Sequence, residues 1–243
     1  MDLTKKIWSY SSLKLFEQCP YAFKLRYIDE EDDKQNAFAQ HGKFVHSLYE
    51  MWAKGELYAY ELADIFEADY DLWVTKHFPF YTMYKSFFEK TRIGLAEFDG
   101  FDGEILGIEE ELRTEIGGHK FIGYADLIMR DEKGIIIVDH KSHGKFKSKK
   151  ERADYLRQLY LYAKPVYEKY DEYPYKLVFN VFRNPEKPLD EELFKMDDYN
   201  SAIDWFSTSV DAILNTTDWD CKVDKFYCEN LCGLTDCVYN GGI

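Results

Sequence analysis

Over the first hundred residues the apolar positions recur at helical spacing. Residues 9–27 (SYSSLKLFEQCPYAFKLRY) turn Leu13, Phe16 and Phe23 toward a core, with Ser11 or Ser12 as the capping hydroxyl. Pro20 has no amide hydrogen to donate and clashes with the preceding turn, so it divides this helix at Cys19. Residues 41–54 repeat the pattern with Phe44, Val45, Leu48 and Trp52, and residues 60–76 and 81–97 read as two further helices. The period then changes. Residues 104–115 form a strand, Gly117-Gly118 a two-residue hairpin turn, residues 119–130 a second strand, 131–134 a turn and 135–141 a third strand. A helix over 153–170, a strand over 176–183 and a closing helix over 199–214 follow, and a short cysteine-rich tail begins near Cys221. The order β-β-β-α-β behind a helical region predicts an α/β fold with a mixed central sheet flanked by helices. One domain over 1–243 accommodates this, with a helical lead-in (1–100), a core (101–215) and a tail (216–243).

Composition narrows the class. With 46% hydrophobic and 18% aromatic residues, this is not a disordered polar chain. The longest purely aliphatic run, 135–138, is the size of a strand and far short of the roughly 20 apolar residues that span a membrane. The opening MDLTKKIWSY lacks an apolar stretch, so no secretory signal is expected and the expected location is the cytoplasm. A net charge of −14 opposes binding to a polyanion unless the cations are gathered in one place. Residues 141–152 (KSHGKFKSKKER) gather five lysines and an arginine against one glutamate. Such a run is either a solvated loop or a phosphate-contacting segment, and Lys145, Lys147, Lys149 and Lys150 are the candidate contacts. Five cysteines without an export signal argue against a disulfide framework and toward metal or cluster ligation.

The chemistry concentrates on the strand hairpin. Asp139 and Lys141, two apart on a strand, share one face. If the hairpin is symmetric about the point between Glu132 and Lys133, Asp126 lies opposite Asp139 with Cβ atoms about 5 Å apart. Opposed carboxylates repel unless neutralised, and a hard divalent cation, Mg²⁺ or Mn²⁺, neutralises them. Glu109, Glu110 or Glu111 on the neighbouring strand could add an oxygen ligand; by alternation Glu109 and Glu111 share a face and Glu110 takes the other. A plain Asp–Lys salt bridge is the simpler alternative for the D-x-K pair.

At this point a family resemblance becomes specific. Gly42-Lys43-Phe44-Val45-His46, then GYAD ending at Asp126, VDHKS thirteen residues on around Asp139, and QLYLY from Gln158 to Tyr162, together with Cys19-Pro20 closing the first helix, resemble the RecB-type branch of the PD-(D/E)xK nuclease superfamily. That branch includes nuclease domains of bacterial helicase-nucleases, CRISPR-adaptation exonucleases and stand-alone phage exonucleases. The resemblance runs from about residue 9 to residue 237. It implies a restriction-endonuclease-like core in which Asp126, Asp139, His46 and the backbone carbonyl of His140 hold Mg²⁺ or Mn²⁺. It further implies that Lys141 orients the attacking water and stabilises the phosphorane charge, and that Gln158 and Tyr162, four apart on one helix face, position DNA or the lysine. Without it, His46 reads as a hydrogen-bonded helix histidine and Gln158/Tyr162 as a packed pair.

The tail spaces Cys228, Cys232 and Cys237 as C-x3-C-x4-C, leaving a fourth ligand to be found. Cys221 could supply it locally, but iron-sulfur nucleases of the resembled branch place one cysteine in the first helix. The resemblance therefore implies a [4Fe–4S] cluster on Cys19, Cys228, Cys232 and Cys237, with Zn²⁺ as the alternative. The C-x3-C spacing departs from the C-x2-C of many such relatives. The implied activity is metal-dependent DNA exonuclease action in recombination, repair or end processing, with DNA, and recombination or replication proteins, as partners and no membrane. The alternatives are a non-catalytic iron-sulfur or zinc DNA-binding adaptor with a nuclease-like fold, and a structural zinc protein.

Overall fold

A computed structural model describes residues 2–234 and 236–239; the end of the tail segment, 240–243, and Thr235 lie outside the described residues. Helices α1 (Tyr10–Gln18) and α2 (Pro20–Tyr27) are divided at Cys19, as the proline requires. The first cap is Ser9, not Ser11 or Ser12: its hydroxyl accepts from Ser12 N while Ser12 Oγ accepts from Ser9 N, a reciprocal box that only the residue preceding the first turn can close. Helix α3 (Ala37–Ala53) starts a turn earlier than its apolar period suggests, because Asn36 caps it through Ala39 N. Helices α4 (Leu62–Trp73) and α5 (Tyr81–Ala96) follow.

Strands β1 (Glu104–Ile116), β2 (His119–Asp131) and β3 (Gly134–His140) form an antiparallel meander; α6 (Lys149–Tyr170) crosses back to β4 (Pro174–Asn180), parallel to β3. A fifth strand, β5 (Leu189–Leu193), completes the sheet order β1-β2-β3-β4-β5. The sequence pattern does not reveal β5. Its LDEEL is an edge strand whose acids are held by α6, Arg152 reaching Asp190 at 2.6 Å and Glu192 at 2.8 Å, so no apolar alternation marks it. Helices α7 (Met196–Leu214) and α8 (Lys225–Asn230) close the chain. No helix of the described residues is long and apolar enough to cross a membrane.

Helices α1, α2, α6 and α7 pack on one face of the sheet around Leu13, Phe23, Leu159, Phe179 and Phe206. Helices α3, α4 and α5 form a second apolar cluster around Phe44, Phe66 and Leu95 that takes in Phe182 beyond β4. Gly94 of α5 is what lets this cluster close on the sheet: a Cβ there would come 2.0 Å from the Phe182 carbonyl oxygen. Inside the cluster His41 is fully buried, 3.0 Å from Tyr70 Oη and 3.1 Å from Thr91 Oγ1. Burial, helped by the charge of Arg183, pushes its pKa down to about 3. The folded value lies below the unfolded one of about 6.5, so the folded state binds fewer protons. Its contribution is present above about pH 6.5 and is lost as pH falls toward 3. The stability gap between wild type and His41→Gln should therefore narrow by several kcal/mol between pH 7 and pH 4, measured by urea denaturation. A gap independent of pH would contradict this.

Candidate active site

The β2–β3 register places the candidate carboxylates. Leu127 pairs with Val138 and Asp131 with Gly134, so the hairpin turns about the expected point and its continuation sets Asp126 against Asp139. Asp126 Oδ2 accepts the backbone N–H of His140 at 2.6 Å. Asp139 is 2% exposed, and Lys141 Nζ lies 2.7 Å from its Oδ2. That contact is an ion pair without hydrogen-bond alignment, so the buried Oδ2 keeps an unfilled lone pair.

Helix α6 runs over this end of the sheet. Lys141 Nζ donates to Gln158 Oε1 at 3.0 Å, and Gln158 Nε2 donates to Tyr162 Oη at 2.7 Å. Of the two roles open to Gln158, the geometry brings it to the lysine. Gly123 makes the approach possible, since a Cβ there would meet Tyr162 Cε1 at 2.3 Å. Burial acts against the Lys141 ammonium, yet the charge and proximity of Asp139, with Asp126 behind it, raise its pKa overall.

Helix α3 faces the same carboxylates from the other side. His46 Nδ1 is 3.5 Å from Asp126 Oδ2, and one ligand atom each from His46, Glu109 and Asp126 lies within 4.8 Å of the others. The sequence left the choice among the three glutamates open. Glu110 pairs with Lys169 of α6, and Glu111 is held outside by Arg113 and Tyr124. Glu109 alone enters the site. It adopts φ +46°, and the β1–β2 ladder passes from Ile108↔Leu127 to Glu110↔Ala125, skipping the position of Glu109 and Asp126. A non-glycine residue held in the left-handed region in mid-strand changes which face its neighbours occupy. Such an outlier is a feature of functional sites more than of plain sheet.

The charges are mutually unfavourable as they stand. Burial and the charge of Asp139 raise the Asp126 pKa well above the carboxylate range, opposed only in part by Lys141 and the His140 N–H. Burial and Asp126 push Glu109 up to about 7. Burial likewise lowers His46. A cation among these groups would draw both carboxyl pKa values back down and would accept the neutral imidazole that burial already favours. The ring of His140 is turned away from them: it stacks on Tyr49 at 4.2 Å and bonds Asn180 Nδ2 through Nδ1 at 3.0 Å. Only its main chain faces the carboxylates.

A family model of the PD-(D/E)XK nuclease superfamily matches residues 7–240. The chain belongs to that superfamily. The nuclease also shares its fold with the crystal structure of a "Putative exonuclease" from Eubacterium rectale, at TM-score 0.51 and 13% identity over 87% of this chain and 82% of that one. No curated protein matches the sequence significantly. In this nuclease Lys145, Lys147, Lys149 and Lys150 are all exposed on the loop leaving Lys141 and the first turn of α6, and none is in an ion pair among the described residues. Cations at the N-terminal end of a helix oppose its dipole, so Lys149 and Lys150 are not there for helix stability. Arg152, from the same run, is instead engaged by β5.

The five cysteines also converge. Cys19, Cys228, Cys232 and Cys237 are buried and unbridged, and Cys221, the local alternative for a fourth ligand, has its Sγ 3.9 Å from Cys19 Sγ. The tail docks on the N-terminal segment through Lys34 N to Gly233 O at 2.9 Å and Asn36 Nδ2 to Leu231 O at 2.9 Å. Burial, and the neighbouring thiols, raise the pKa of Cys221 to about 12.

Proposed function

We propose that this nuclease is a divalent-metal-dependent DNA exonuclease. The observation that carries the reading is the convergence of His46, Glu109 and Asp126 on one point beside Asp139 and Lys141. The donor set fits a hard cation with some tolerance for imidazole, Mn²⁺ as well as Mg²⁺, and the unfilled lone pair on Asp139 adds an oxygen. The His140 carbonyl is a further donor in this reading. When bound, the cation supplies Lewis acidity toward the scissile phosphodiester and lowers the pKa of a water. The protein does the rest. Asp139 and Gln158 hold the Lys141 ammonium charged and oriented, Tyr162 fixes Gln158, and the ammonium stabilises negative charge growing on the phosphate oxygens.

The four lysines beside this site support a polyanionic substrate despite the acidic whole. Exchanging Lys145 and Lys149 for alanine should make the salt dependence of DNA binding shallower by about one power of salt concentration per lost contact. Anisotropy titrations between low and moderate salt check this, and an unchanged slope would show the run to be solvated loop.

Cys19, Cys228, Cys232 and Cys237 are read as ligands of a [4Fe–4S] cluster, with Zn²⁺ as the alternative. Four buried, unbridged thiols joining both ends of the chain suit either. The test of the whole reading is incubation of end-labelled single- and double-stranded DNA with Mg²⁺, Mn²⁺ or EDTA. Progressive release of short products from the ends, abolished by EDTA, is expected. Binding without cleavage under every condition would favour an adaptor.

A further inference from the structure

Beyond β4 the chain runs through Val181 and buried Phe182 to Arg183, whose side chain lies between the α3–α5 cluster and the loop that leaves the active strand. Its guanidinium packs over the Phe87 ring of α5, Cζ 3.2 Å from the centroid. Nη1 donates to the Ser142 carbonyl at 2.9 Å, one residue after Lys141. Nε is buried and has no partner among the described residues. No carboxylate of the described residues forms an ion pair with Arg183. By contrast Arg26, Arg113, Arg130, Arg152 and Arg157 each face one. On the same loop His143 Nδ1 is also buried without a partner, while its Nε2 lies 3.2 Å from Tyr155 Oη.

A half-buried guanidinium with an unfilled donor and no counter-ion is costly unless an anion reaches it. The groups around it are the Ser142 carbonyl, the Phe87 ring, the Tyr70 hydroxyl and the neutral His41 and His143, and none is an anion. Consistent with this, burial pulls its pKa down to about 10. The guanidinium fork is the side chain best matched to two phosphate oxygens; it stacks on Phe87 and its Nη1 holds Ser142, which leaves Nη2 without a hydrogen bond among the described residues.

We propose that Arg183 is a phosphate-binding residue that holds a backbone phosphodiester of the substrate strand next to the scissile one, through the Nη2 end of its guanidinium. This rests on the nuclease reading of the same cleft. Arg183 is then a positioning residue, not a catalytic one. Its loss should raise the KM for a strand that has flanking phosphates and leave a substrate with a single phosphodiester unaffected.

The test compares wild type, Arg183→Gln and Arg183→Lys on a single-stranded oligonucleotide and on the p-nitrophenyl ester of thymidine 5′-monophosphate, with melting curves to check folding. Arg183→Gln should raise the oligonucleotide KM by about tenfold or more, as loss of a charge-assisted hydrogen bond implies, with kcat little changed. Turnover of the ester should stay the same, and Arg183→Lys should recover part of the KM. In a Ca²⁺ binding series, oligonucleotides carrying one neutral methylphosphonate should reveal one position that weakens binding to wild type but not to Arg183→Gln. Equal losses on ester and oligonucleotide, or a methylphosphonate profile identical in both proteins, would overturn the proposal. If wild type cleaves neither substrate, the nuclease reading fails by itself, and the methylphosphonate series still decides Arg183.

Discussion

Asp139→Ala is expected to lower DNA hydrolysis by at least about a hundredfold at saturating Mn²⁺, the scale of losing one preorganised charge-stabilising group. Two effects act together. The carboxylate whose Oδ2 keeps a free lone pair is removed, and Lys141 loses the partner 2.7 Å away that keeps its buried ammonium charged. The second effect also destabilises the fold, because one member of a buried ion pair is left alone, at a cost of about 3 kcal/mol or more. Asp139→Asn, which preserves shape and a hydrogen-bonding oxygen, should fold better and be as inactive. Activity is to be measured on protein shown by circular dichroism and melting to be folded. More than about a tenth of wild-type rate in folded Asp139→Ala would remove Asp139 from the site. Asp126→Ala and Lys141→Ala should behave alike. If Asp126, Asp139 and Lys141 act as one group, as the proposed function requires, the double variants should be scarcely worse than the singles.

Cys232→Ser is the second large effect, and it concerns the ends of the chain. Cys19 and Cys228 are 209 residues apart, so a shared centre closes nearly the whole chain into one loop. Loop closure costs little more for such length than for a shorter one, while a structural metal centre contributes on the order of several kcal/mol to folding. Without it, the docking of Gly233 and Leu231 against Lys34 and Asn36 rests on a few hydrogen bonds and on the burial of Leu234 and Tyr227 against the core. Cys232→Ser and Cys19→Ser should therefore lower Tm by about 10 °C or more and open the tail to proteolysis. Cys221→Ser, at a partly exposed position, should be milder. Protein purified without oxygen should be brown with broad blue-end absorption. A colourless protein with one zinc would replace the cluster and keep the ligation, and a metal-free protein with a docked tail would remove both.

How much of this was legible in the sequence differs from residue to residue. The division of the first helix at Cys19 follows from Pro20 alone. The opposition of Asp126 and Asp139 follows from the length of one turn, because an antiparallel register is set by the point about which the hairpin folds. Gln158 and Tyr162 share a face because they stand four apart on a helix. Their meeting with Lys141 was readable only through family resemblance, since nothing in a periodicity says which helix covers which strand end.

What the sequence determined by itself is therefore local: the helices before the tail and four of the strands, their order, and which side chains share a face within one hairpin or one helix. These depend on the period of apolar positions and on proline, glycine and turn chemistry, all of which act within a few residues. The tertiary structure alone decided the rest. It selected Glu109 over Glu110 and Glu111 through a left-handed φ that local preference disfavours. It formed β5 from a polar segment because Arg152 neutralises two of its acids. It left Arg183 with an unfilled buried donor and brought Cys221 to Cys19 from 202 residues away. Each of these outcomes is a balance of charge and desolvation between segments distant in the chain, and that balance has no value until the fold has set the distances.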